Sequence, residues 1–143
     1  MKKIVTLALA AAFVLALAGG AGAASFKIVV NKDNPARGLQ RNKIGLMFMK
    51  MTAKWDSGAA VEPVDLRKDS PVRAAFSVEI HNRDVDAIAQ VWQRAIFSGR
   101  GEPPPEKATD EEVISFVAGH PGGIGYVSAA AATDKVKVLD VLK

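Results

Sequence analysis

A chain of 143 residues, 49% hydrophobic and 24% charged, is long and apolar enough to bury a core, and its lack of cysteine excludes disulfides and thiolate metal sites. Its formal net charge is +4, but the few aromatic residues do not alternate with basic ones, which excludes a base-stacking nucleic-acid platform. What the mild basic excess favours is small anions or acidic surfaces.

Met1-Lys2-Lys3 precede an apolar run from Ile4 through Leu17, and small residues follow up to Ala21-Gly22-Ala23, ahead of Ala24 and Ser25. Charge, apolar stretch and small-residue site in that order predict a signal peptide over 1–23, cleaved after Ala23. The run approaches the roughly 20 apolar residues that span a bilayer. Gly19, Gly20 and Gly22 interrupt its end and no basic stop-transfer flank follows, so no stable membrane anchor is expected. The expected product is a periplasmic protein of residues 24–143, the size of one ordinary domain and only slightly positive once Lys2 and Lys3 are gone.

Phe26-Lys27-Ile28-Val29-Val30-Asn31 reads as a buried strand that stops at the turn-prone Asn31 to Pro35 segment. Ile44, Leu46, Met47, Phe48 and Met51 give an amphipathic helical pattern that ends near Trp55-Asp56-Ser57-Gly58, with Gly58 supplying a loop, and a second strand follows from Val61 to Leu66. Ser70-Pro71 starts a helix, the serine as cap and the proline in the first turn where its missing donor costs nothing; it runs through Phe76 and Ile80 to His81-Asn82-Arg83.

Asp84 opens a further helix with Val85, Ile88, Val91, Trp92 and Ile96 on one side, broken by the Gly99 to Pro105 loop. Thr109 and Glu112 have capping-box spacing ahead of Val113, Ile114, Phe116 and Val117. After Gly119-His120-Pro121-Gly122-Gly123 come a short strand, Ile124 to Val127, and a last strand, Val136 to Leu142, that returns to the sheet. Strands alternating with helices predict an α/β fold, a sheet flanked by helices.

Candidate chemistry is sparse. His81 and His120 are far apart, with too few partners for a transition-metal site, and no serine sits in a Gly-x-Ser-x-Gly elbow, so neither a cofactor nor an enzymatic activity is expected. The segment Arg67-Lys68-Asp69-Ser70-Pro71-Val72-Arg73 sets a helix N-terminus directly after a strand among three cations. Helix N-termini bind anions through free N–H groups and the dipole. In that reading Val72 and Arg73 offer backbone donors, Ser70 a hydroxyl, and Arg67 or Arg73 a charge-assisted fork. The same residues also read as an ordinary capped helix with solvated basic neighbours.

Three stretches resemble the phosphate-binding component of bacterial ABC transporters and its short single-domain relatives: Lys43 to Trp55, the Val64 to Phe76 strand, loop and helix, and Pro121-Gly122-Gly123-Ile124-Gly125-Tyr126-Val127. The resemblance covers nearly all of the chain after the leader and implies a single type II periplasmic-binding-protein-like lobe with a mixed sheet, similar to the later portion of the two-lobed members. It implies an oxyanion, phosphate first, as ligand. The family's Ser-Gly-Thr phosphate contact falls on Ser70-Pro71-Val72, where proline removes a donor and valine a hydroxyl. Half a cleft needs a partner, so a second expectation is an envelope interaction module without a small-molecule site, pairing with another protein or with a second copy.

Overall fold

The computed structural model describes residues 25–143; the expected leader over 1–23 and its cleavage point lie outside them. Among the described residues seven strands are laid down in the order β1 (Phe26–Val30), β2 (Gly38–Gln40), β3 (Glu62–Pro63), β4 (Asp65–Leu66), β5 (Glu106–Lys107), β6 (Gly123–Ser128) and β7 (Lys137–Leu142). Between them run α1 (Arg41–Phe48), α2 (Pro71–Phe76) continuing into a π-helical turn over Ser77–His81, α3 (Val85–Phe97) and α4 (Asp110–Gly119). The main sheet has the order β2-β7-β1-β6-β3, with β4 and β5 paired separately. In it β1 is antiparallel to both β6 and β7, while the short edge strands β2 and β3 pair parallel, so the sheet is mixed.

β1 lies at the centre because its run carries no polar alternation: Ile28, Val29 and Val30 are all fully buried, which requires cover on both faces. Register divides the two faces. Ile28 opposes Tyr126 and Val30 opposes Ile124, so these four share one face, where Phe48 of α1 and Phe76 of α2 meet the Tyr126 ring. Val29 opposes Gly125 on the other face, against Val113 and Val117 of α4. Asn31, just past β1, donates from Nδ2 to the carbonyls of Val117 and His120, closing the C-terminal end of α4 onto the sheet.

Several local expectations are met by the hydrogen bonds they rested on. Ser70, Asp84 and Thr109 each accept from the backbone N–H three residues on, capping α2, α3 and α4. Three others are corrected. The first helix stops at Phe48, because Lys50 takes a left-handed φ of 57° and Met51 N–H donates back to Leu46 O, a closure found ordinarily with glycine. The Val61 to Leu66 strand divides at Val64, whose N–H donates to Ile124 O in the main sheet, whereas Asp65 N–H turns to Pro105 O beside β5. The helix through Ile80 widens into a π-turn after Phe76, ended by Asn82 at φ 53°. Strands β2 and β5 were not foreseen.

Candidate functional site

β4 delivers the chain into the Arg67-Lys68-Asp69 turn, closed by Ser70 N–H donating to Arg67 O at 2.9 Å, and α2 starts at Pro71. Ser70 Oγ accepts from Arg73 N–H at 3.3 Å, and Ala74 N–H is taken by Ser70 O. Pro71 has no donor, so Val72 N–H is the first-turn donor left over. Arg67 is largely exposed, with Nε 3.8 Å from Asp69, and Lys68 pairs with Asp86 of α3 at 2.8 Å. Ser70 and the Val72 N–H thus sit with Arg67 at the rim of the loop, while the Val72 side chain packs against the core.

Arg73 points the other way. Its guanidinium is buried, and Nη1 donates to Leu66 O at 2.9 Å and to Glu106 Oε1 at 2.7 Å, while Nη2 lies 3.9 Å from Asp65. Tyr126 completes the cluster: its hydroxyl donates to Asp65 Oδ1 at 2.8 Å and accepts from Leu66 N–H at 3.2 Å, with its ring stacked on Phe76 at 3.8 Å. Burial pushes the Asp65 carboxyl up from the ordinary 3.8 to about 6, against the pull of Arg73 and of the Tyr126 hydroxyl. Burial also opposes the charge on Arg73, but Asp65 and Glu106 beside it more than offset that and hold its pKa above the ordinary value. Tyr126 is raised by burial and by the adjacent carboxylate. His81, at the end of the π-turn with its ring edge-on to Phe76, is lowered to about 4 by burial and by the charges of Arg73 and Arg83.

The four residues singled out from the sequence therefore divide. Three line the loop, whereas the Arg73 side chain holds β4 to β5 from within; its partners Asp65, Glu106 and Tyr126 gave no sequence signal. Asp65 and Glu106 lie in two-residue strands too short for periodicity, and Tyr126 carried a fold motif with no polar role attached to it. On the outer side of α2, Pro71, Ala74, Ala75 and Val78 face Phe26 across an open apolar groove of about 650 Å³. Among the described residues no three His, Asp or Glu side chains converge as a metal site needs, and no helix is long and apolar enough to cross a membrane.

This architecture is that of a periplasmic-binding-protein-like α/β lobe, with a mixed sheet flanked by helices. An ABC-type phosphate transport receptor from Vibrio cholerae superimposes with a TM-score of 0.63 at 15% identity, over 80% of this chain and 44% of that one. A protein from Clostridium perfringens, assigned as a phosphate ABC transporter substrate-binding protein and solved with bound phosphate, gives 0.65 at 20% identity over 81% of this chain and 44% of its own. PstS from Borrelia burgdorferi gives 0.57 at 10% identity over 82% and 47%. The chain spans less than half the length of these transport proteins. No protein-family model and no curated protein sequence matches it.

Proposed function

We propose that this chain is an exported, non-enzymatic relative of phosphate ABC transporter substrate-binding proteins that works as an envelope interaction lobe, docking another protein along α2. The burial of the Arg73 guanidinium carries this reading. An oxyanion lacks the solvation it leaves in water unless donors replace it, and of the candidate donors the strongest is spent on Asp65, Glu106 and Leu66. Pro71 removes a donor from the loop and begins the groove wall that Ala74, Ala75 and Val78 continue. An apolar groove of this shape can take a side chain of a protein partner.

A second reading, an oxyanion held at Ser70, Val72 and Arg67, is favoured by one observation: the Ser70 hydroxyl accepts from Arg73 N–H but keeps its own hydrogen for an outside acceptor. Thermal unfolding of residues 24–143 with millimolar phosphate, and with sulfate as ionic control, separates the two. A ligand at 100 times its dissociation constant adds about 2.7 kcal/mol. The interaction reading expects no phosphate-selective rise, and a photo-crosslinking residue at Val78 is expected to capture a discrete envelope protein where one at Lys50 does not. A phosphate-selective rise abolished by Ser70→Ala transfers the function to the oxyanion.

A further inference from the structure

A different surface carries a second interaction. α3 is anchored by Ile88 and Trp92, both buried, but one turn later Ile96 is 54% and Phe97 93% exposed. This bare aromatic is not a frayed end. Gly99, at φ 68°, closes the helix with its N–H on Ile96 O at 3.1 Å, and Arg100 N–H returns to Ala95 O at 2.8 Å. Ser98 Oγ donates to Arg94 O at 2.8 Å, so the backbone on either side of Phe97 is fixed. Beside it, Arg94 and Arg100 flank a shallow depression of about 420 Å³ floored by Val91 and Ala95. Neither guanidinium has a carboxylate within 4.0 Å among the described residues, a state they share with Arg37 and Arg83, whereas Arg41 and Arg67 each have one and Arg73 has two. A base in the last turn suits the helix dipole. That accounts for Arg94 but not for the exposed phenyl ring next to it.

We propose that the tip of α3 is a reversible docking point for an anionic lipid surface, Phe97 and Ile96 entering the acyl boundary while Arg94 and Arg100 meet headgroup phosphates. The charge is complementary and the apolar part protrudes. A specific protein interface wants roughly 800 Å² per partner around a packed centre, more than two side chains at a helix end supply. A fluid bilayer needs no such complementarity, and one aromatic plus two cations gives weak, salt-sensitive binding and not an anchor. The surface is separate from α2, so its test is independent of the interaction reading.

The test uses residues 24–143, which contain the whole of the described core and omit the apolar leader that would itself bind lipid. Flotation with phosphatidylglycerol-rich vesicles is compared with phosphatidylcholine alone, at low and high salt. Expected is at least about tenfold greater binding to the anionic vesicles, reversed by salt. Phe97→Ser and the pair Arg94→Gln with Arg100→Gln each lower it about tenfold or more. All three positions are exposed, and unchanged melting of the variants verifies the fold. In Phe97→Trp the new indole emission shifts to the blue on anionic vesicles. Equal binding to both vesicles, binding indifferent to Phe97→Ser, or a blue shift produced by an envelope protein in place of lipid overturns the proposal.

Discussion

Asp65 and His81 hold their protons in opposite senses over the same pH range. Asp65 in the fold titrates near 6 against an ordinary 3.8, so the native state binds its proton more tightly; the stability this brings is full at low pH and is lost as pH rises through about 6. His81 titrates near 4 against 6.5, so the native state prefers it neutral; that stability is present above 6.5 and is lost as pH falls toward 4. Between pH 4 and 6 the two slopes oppose. The wild-type melting midpoint is therefore expected to stay nearly flat across that window. His81→Gln leaves the Asp65 slope, with the midpoint falling as pH rises, by an amount worth about 2 kcal/mol. Asp65→Asn leaves the His81 slope and inverts the trend, while Arg73 keeps Glu106 and Leu66 O as partners. Melts at half-unit pH steps decide it, and parallel profiles for the two variants would sink the coupling. None of this was legible in the sequence. The caps at Ser70, Asp84 and Thr109 were, because a cap is a three-residue event. The Arg73 cluster joins residues 33 and 61 positions apart, for which no local pattern exists.

At the scale of elements, the Pro121 to Val127 segment is one of the three stretches that carry the resemblance, and packing gives the physical reason for two of its glycines. Gly122 O accepts from Trp55 Nε1 at 2.9 Å and from Glu62 N–H at 3.0 Å, and a Cβ at Gly122 would fall 1.7 Å from Ala60 O. At Gly125 a Cβ would meet Val113 Cγ1 at 2.7 Å and Val64 Cγ1 at 2.9 Å. These two positions let β3, β6 and α4 approach one another. Gly122→Ala is thus expected to cost at least about 2 kcal/mol and to move Trp55 emission to the red as its indole leaves the carbonyl. Gly119→Ala, at the end of α4 with open space around it, is the matched control and is expected to be neutral or mildly stabilising. Equal melting of the two variants would remove the packing account. The elements that went unread are those without a signal of their own: β2 and β5 span three and two residues and exist because longer neighbours supply partners. The early end of α1 likewise depends on a left-handed Lys50, a conformation sequence reasoning assigns to glycine.

For the molecule as a whole, the question is whether this lobe stands alone when it matches only 44–47% of the length of the solved proteins it resembles. The core argues that it does. The fully buried residues Ile28, Val29, Val30, Val64, Val113, Val117 and Tyr126 come from both faces of the main sheet and from the helices that cover it. They bury one another without residues beyond 25–143. Among the described residues the apolar surfaces left uncovered, the α2 groove and the Ile96–Phe97 tip of α3, lie outside that core. Residues 24–143 are accordingly expected to unfold as one cooperative unit. Two tryptophans report from different places: Trp55 is fastened to Gly122 beside β3, and Trp92 is buried on α3. Urea titrations of Trp55→Phe and Trp92→Phe, each leaving one indole, are expected to give transitions that overlay with each other and with the helical circular dichroism signal, once each variant's own midpoint is allowed for. If α3 melts first, the domain is a core with a loosely held arm; coincidence means that residues 24–143 fold as one unit with no second chain present.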